Sequence, residues 1–189
     1  MSKSKQLSHH ITALLRHSGP DVGLSMDSHG WVRVDELIAH INAGTRYSVT
    51  RESLEEIVRT DNKGRFRFDD AGMRIKACQG HTIPWVEPEL TMLAPPEYLY
   101  HGTTQEAWSA IRESGSILRM QRHAVHMQAE TDKAWQSALR WRKPAVVLRI
   151  DAARMHADGY EFGVSDNDVW CTERVPVEYV VEAIEPEKL

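Results

Sequence analysis

One stretch constrains this chain before any element is assigned. Residues 82–99 read TIPWVEPELTMLAPPEYL, with prolines at positions 84, 88, 95 and 96. Proline breaks a helix interior and lacks the donor that a central strand needs. No continuous helix or core strand runs through such a segment, so the chain is expected to fold as two modules joined there. The expected division is a first lobe over 1–83, a linker over 84–97 and a second lobe over 98–189.

Hydrophobic residues make up 41% of the 189, enough for two packed cores. No run has the length and apolarity of a membrane span, and the opening MSKSKQLSHH has no signal-peptide core. Cys78 and Cys171 stand far apart and in no CxxC pair, so a reducing, cytoplasmic setting is expected. The net charge of −4 is uneven: residues 1–85 hold 12 Lys+Arg against 10 Asp+Glu, and residues 86–189 hold 11 against 17. Bulk charge therefore gives no sign of a nucleic-acid binder, although Arg59, Lys63, Arg65, Arg67, Arg74 and Lys76 cluster locally.

In the first half, Leu7, Ile11, Leu14 and Leu15 keep helical spacing up to Gly19-Pro20. GWVRV at 30–34 reads as a short strand with Trp31, and Val32 with it, facing inward. Asp35 is placed to cap a helix carrying Leu37, Ile38 and Ile41, and Thr50 one carrying Leu54, Ile57 and Val58. RFRF and MRIKA alternate with period two around DDAG, which predicts a hairpin. Three helices followed by a hairpin is the order of a winged-helix module.

The second half reads as α+β. Tyr98–Tyr100 is expected to be a strand, Thr103 and Glu106 have capping-box spacing, and the helix they open stops at Gly115. Ala134, Ala138 and Leu139 mark another helix, AVVLRI at 145–150 a buried strand, and VEYVVEAI at 177–184 a last strand. Residues 151–176 look loop-rich, and a mixed sheet around a cleft is expected.

Four groups carry candidate chemistry. Arg16-His17 sits at a helix C-terminus, where cations are favoured by the macrodipole alone, yet a guanidinium and an imidazole also suit an anion. Arg65 and Arg67 share one face of the hairpin, which serves equally as a solvated wing or as a match for a phosphate backbone. RMQRHAVHM at 119–127 brings Arg119, Arg122, His123 and His126 close in sequence; His123-x-x-His126 invites a metal, but no cysteine or carboxylate cluster completes a zinc set. His101-Gly102-Thr103 ends a strand, and a turn with a capping threonine accounts for all but His101. No P-loop, G-x-G-x-x-G or nucleophile elbow is present. Glu87-Pro88-Glu89 and Glu185-Pro186-Glu187 read as surface.

LLRHSG, GLSMDSHGWVRVDEL, RFRF, IKACQGHT, YHGTT, MQRHAVHM and SDNDVWCTERVP, in this order from about residue 5 to 184, resemble the NAD-dependent RNA 2′-phosphotransferases of the KptA type. The resemblance implies an α+β protein: an N-terminal winged-helix lobe, a C-terminal ADP-ribosyltransferase-like lobe of mixed β structure, and an active site in the cleft between them. It implies an enzyme that removes an internal 2′-phosphate from RNA, such as that left at a tRNA splice junction, with NAD+ as co-substrate. The 2′-phosphate attacks the anomeric carbon of the nicotinamide ribose and nicotinamide leaves. The neighbouring ribose hydroxyl of the ADP-ribosylated RNA then attacks the phosphate. The products are 2′-OH RNA and ADP-ribose 1″,2″-cyclic phosphate.

The family's essential Arg-His-Arg-Arg set matches Arg16, His17, Arg65 and Arg122. The arginines are then expected on the 2′-phosphate, with His17 bonding it or moving a proton. Arg122 is preferred to Arg119 because the family's M-x-R spacing matches Met120–Arg122. His101 and Thr103 are expected on the adenosine part of NAD+, with Gly102 allowing close approach of backbone and ligand. His126 matches the family's V-H-L-S, and Asn167, Val169 and Trp170 match N-x-V-W, expected to line the cofactor cleft. No metal is implied, no membrane, and a monomer is the default. The chain departs from the family at Lys76, Gln128, Gly163, Asp168 and Cys171, where arginine, serine, tyrosine, glycine and leucine are usual. Two alternatives remain: an ADP-ribosyltransferase acting on nucleic-acid ends or another acceptor without the second transesterification, and a non-enzymatic winged-helix RNA-binding protein.

Overall fold

The structure, a computed structural model, describes residues 3–186, and the chain divides after Glu89 into two compact units. Glu187 of the acidic tail string lies outside the described residues. No helix among the described residues is long and apolar enough to cross a membrane.

The first unit is built on helices α1 (Lys3–Ala13), α2 (Val34–Gly44) and α3 (Arg51–Thr60) and on strands β1 (Val32–Arg33), β2 (Phe66–Phe68) and β3 (Arg74–Ala77). The strands form an antiparallel sheet in the order β1-β3-β2, with Phe66 opposite Ala77 and Arg67 opposite Lys76. Ile11, Leu15, Leu37, Ile41, Leu54 and Ile75 form its core, fully buried. Each such side chain contributes about 1.5–3 kcal/mol by leaving water. Trp31 and Val32 are both buried, as their pattern predicted. Thr50 caps α3 through a reciprocal box with Ser53. Asp35, in contrast, is not a cap: α2 begins at Val34, with Arg33 at the cap position two residues before Asp35, and Asp35 lies in the first turn, where its charge favours the helix dipole.

The second unit contains β4 (Thr91–Met92), β5 (Tyr98–Thr104), α4 (Gln105–Ser114), β6 (Ser116–Leu118), β7 (Val125–Met127), α5 (Thr131–Leu139), β8 (Ala145–Asp151), α6 (Ala152–Ala157), β9 (Gly163–Val164), β10 (Trp170–Thr172), β11 (Arg174–Pro176) and β12 (Val180–Ile184). Three sheets result, ordered β12-β8-β5, β4-β9-β10-β7 and β11-β6. Every strand pair among the described residues is antiparallel, where a mixed sheet was expected. Leu99, Met127, Val146, Leu148 and Ile150 anchor the core.

Three local expectations change. Strand β5 does not stop at Tyr100 but pairs with β8 through Thr104, opposite Ala145. The cap of α4 is therefore Thr104, whose Oγ1 accepts from Ala107 N at 3.1 Å, and not Thr103. The stretch 151–176 is not mainly loop, since it holds α6 and three short strands. Residues 177–179 form a single 3-10 turn before β12 begins at Val180. Within the proline-rich stretch, Val86 is buried and Thr91–Met92 pairs with Val164 and Gly163.

Candidate functional site

Helix α1 does not end in a regular turn. It passes into a π-helical turn, Leu14–Ser18, which carries Arg16 and His17. Such turns gather at functional positions because they re-aim side chains within an otherwise regular helix. The turn closes by Gly19 N donating to Leu14 O at 2.8 Å. A Cβ at Gly19 would lie 2.6 Å from that oxygen, so only glycine fits.

The segment Cys78–Thr82 fixes this turn. Thr82 N donates to Arg16 O at 2.9 Å, and His17 Nδ1 lies 2.9 Å from Thr82 Oγ1. The same segment reaches Arg65, whose carbonyl accepts from Cys78 N at 2.8 Å. Arg65 lies just before β2 and is half-buried. Its guanidinium Nη1 and its backbone N–H both bond Asp61, whose side chain is only 4% exposed. A buried carboxylate thus holds the arginine in one place. One five-residue segment therefore ties together Arg16, His17 and Arg65. Arg67, next on the hairpin, lies with its guanidinium 5.5 Å from the Trp31 ring centroid.

Arg122 comes from the second unit, in the loop between β6 and β7. It is half-buried, its N–H donates to Arg119 O at 2.9 Å, and Met120 beside it is 83% exposed at φ 54. Burial, and then the nearby charge of Arg140, hold the Arg122 guanidinium below its usual pKa.

His101 is the centre of a second group. Its Nδ1 lies 2.9 Å from His126 O, and since a carbonyl only accepts, this nitrogen carries the proton. Nε2 is then an acceptor. Burial lowers the pKa of His101 most; the His126 hydrogen bond raises it, and the charge of Arg140 lowers it again. The ring is a neutral acceptor at pH 7. Thr103 is buried one pleat further along β5. His126 faces Cys171 across the β7–β10 pair.

Gly102 carries a packing constraint of its own. A Cβ there would meet Ala134 O at 1.9 Å and Ala138 N at 3.1 Å. The missing side chain admits helix α5 against strand β5, a constraint that holds whether or not a ligand is bound.

Asn167, Val169 and Trp170 belong to the β9–β10 turn and the strand after it. Ser165 organises the turn: its Oγ donates to Asn167 Oδ1 at 2.8 Å and accepts from Val169 N at 3.2 Å. Asp168 occupies the left-handed region at φ 59, which accounts for the glycine usual in the family. Trp170 is half-buried and packs on the core of the second unit.

A cavity of about 460 Å³ in this unit is lined by Met92, His123, Glu161, Gly163, Cys171 and Thr172 among others. None of the expected dinucleotide contacts lines it. Gly163 and Cys171, two departures from the family, face each other there in register. A Cβ at Gly163 would lie 2.9 Å from Leu90 Cβ, so the 90–92 segment fills part of the space where a tyrosine would stand. Burial pushes the Cys171 thiol up to about 12, so it is no nucleophile. No group of three or more His, Cys, Asp or Glu among the described residues could hold a metal ion.

Asp61, Thr82, Ser165 and Arg140 were not assigned from sequence. Thr82 lies within the recognised IKACQGHT string, and Asp61 is one acid among the basic residues clustered at 59–76. Ser165 opens the recognised SDNDVWCTERVP string without having been given a role, and Arg140 gave no signal.

Residues 2–174 match the family described as RNA 2′-phosphotransferase, Tpt1/KptA. A probable RNA 2′-phosphotransferase of Rhizobium rhizogenes is 40% identical, over 95% of this chain and 94% of its own. One from Streptomyces coelicolor is 43% identical over 94% and 92% of the two chains. One from Nostoc punctiforme is 40% identical over 95% and 97%. A solved protein of Caulobacter crescentus covers 47% of this chain and 84% of its own at 16% identity, with a TM-score of 0.37, too slight a likeness to argue from.

Proposed function

The chain belongs to the RNA 2′-phosphotransferase, Tpt1/KptA, family, and from that premise we propose that it transfers an internal RNA 2′-phosphate to NAD+, with a winged-helix first unit and an ADP-ribosyltransferase-like second unit. The observation that carries the reading is the Cys78–Thr82 segment, which ties Arg16, His17 and Arg65 to one another. The segment fixes the backbone at Arg16 and Arg65 and the ring of His17, and Asp61 holds the Arg65 guanidinium; this supports reading the group as a site for a dianion.

In this reading Arg16, Arg65 and Arg122 bind the phosphate oxygens and neutralise the charge that shifts during transfer. The nucleophile belongs to the RNA, so positioning and charge are what the protein must supply. His17, oriented through Nδ1 and Thr82, works through Nε2: it bonds the phosphate and then moves the proton of the attacking ribose hydroxyl. NAD+ supplies an electrophilic ribose carbon with nicotinamide as its leaving group. The donor set of the second unit fits it. Neutral His101 offers Nε2 as acceptor for a ribose hydroxyl, and Thr103, His126 and Asn167 add polar groups for the rest of the dinucleotide.

The test is His17→Ala and Arg65→Ala against wild type on RNA with one internal 2′-phosphate. Each should lose about 10²–10³ or more of the rate, the cost of removing a charge-stabilising donor. Arg65→Ala strands the buried Asp61, so Asp61→Asn/Arg65→Ala serves as its folded control. Wild-type turnover by the folded variants would sink the assignment.

A further inference from the structure

The turn that follows α5 reads Leu139-Arg140-Trp141-Arg142-Lys143, and none of its features serves the core. Trp141 and Leu139 are each 59% exposed. The Arg140 guanidinium stands 5.3 Å from the centroid of the Trp141 ring. Lys143 pairs with Glu106 at 2.8 Å, while neither Arg140 nor Arg142 forms an ion pair among the described residues. The sequence from 86 onward carries 11 cations against 17 acids, so three adjacent cations stand out in an acidic unit.

The turn is rigid. Trp141 N and Arg142 N donate to Ala138 O and Leu139 O at 3.4 and 3.1 Å, and Pro144 O accepts from Gln105 N at 2.9 Å. Ala138 lies against Gly102. A helix C-terminus favours nearby cations, which accounts for Arg140. It does not account for an indole left in water. Nor does it account for Arg142, which holds φ 53, a region where glycine is favoured over any residue with a side chain. A side chain kept in an unfavourable backbone conformation points to use of that side chain.

We propose that the Arg140–Lys143 turn is a contact for single-stranded RNA, in which Trp141 stacks on a base beyond the immediate neighbours of the phosphorylated nucleotide and Arg142 meets a backbone phosphate further along the strand. This inference rests on the RNA reading above. The chemistry separates RNA from a dinucleotide. A small-molecule site is concave and mostly apolar. An exposed ring beside guanidiniums with no acidic partner is the arrangement that takes successive bases of a single strand without regard to sequence. Within the second unit, Arg140 stands near enough to Arg122 and His101 for its charge to lower the pKa of both.

The test uses the full chain, Trp141→Ala and Arg142→Gly. Affinity is read by anisotropy for a fluorescein-labelled single strand of about 12 nucleotides, within the range one such surface contacts. Turnover is read separately on a 2′-phosphorylated trinucleotide. Trp141→Ala should weaken binding of the longer strand about tenfold, as loss of one stacked base predicts. Arg142→Gly should lower the slope of log K against log salt by about 0.7, one phosphate contact on a single strand. It should also melt no lower than wild type, which excludes misfolding. Trinucleotide turnover and the KM for NAD+ should stay unchanged in both. Wild-type affinity of both variants for the longer strand overturns the proposal, and so does a raised KM for NAD+ in Trp141→Ala. Because binding is measured apart from turnover, a wild-type protein that binds RNA but does not dephosphorylate it would count against the reaction and leave the variants to decide the turn.

Discussion

Gly102 and Asp168 show how a single backbone position can carry a family's pattern through packing and backbone conformation. Gly102→Ala is expected to unfold the second unit or cost it more than about 4 kcal/mol, because the new carbon would sit 1.9 Å from Ala134 O. Thermal melting checks this directly, and a folded Gly102→Ala that had lost only NAD+ affinity would contradict the packing account. Asp168→Gly should stabilise by about 1 kcal/mol in urea titration, since φ 59 strains any side chain. Of these two residues, sequence alone marked both positions but explained neither. His-Gly-Thr reads as a strand end with room for a ligand, and the oxygen that forbids a Cβ at 102 belongs to a helix more than thirty residues away.

At the scale of elements, the periodic segments were legible and their ends were not. Leu54, Ile57 and Thr50 predicted α3 with its cap. The Thr103-x-x-Glu106 spacing placed the cap of α4 one residue early, because pairing of Thr104 with Ala145 extends β5 past the local signal. Long-range ladder bonds outweigh a capping preference when the two compete. Thr104→Ala should therefore cost about 1 kcal/mol through the lost α4 cap. Thr103→Ala should leave α4 capped. Amide exchange at Ala107 distinguishes them, and equal protection loss in both variants would refute the assignment. The candidate site divides in the same way. Arg16, His17 and Arg65 were visible as types in a recognised order. Thr82, which orients His17 across 65 residues of chain, was legible only as a member of a string and not by its role; Asp61 lies only four residues from Arg65, and a local acid among basic residues does not show that it is buried.

Taken as a whole, the molecule carries a pH dependence in both units. Burial first, and then the charge of His40, lowers the pKa of His10 in the first unit. Burial lowers that of His101 in the second. A folded-state pKa below 6.5 means that the unfolded chain binds the proton first. Stability is therefore complete above pH 6.5 and declines as pH falls from there towards the lowered folded values. Urea midpoints should fall from pH 7.5 to pH 5.5, and His10→Leu should flatten the response of the first unit; a midpoint that rises on acidification would contradict the sign. In the proposed reaction Arg122 is drawn from the second unit and Arg16, His17 and Arg65 from the first. The most direct measurement is to incubate the full chain with a short RNA bearing one internal 2′-phosphate, with and without NAD+. The account predicts 2′-OH RNA and ADP-ribose 1″,2″-cyclic phosphate, both only when NAD+ is present; loss of the phosphate without NAD+, or ADP-ribosylated RNA accumulating as the final product, would contradict it.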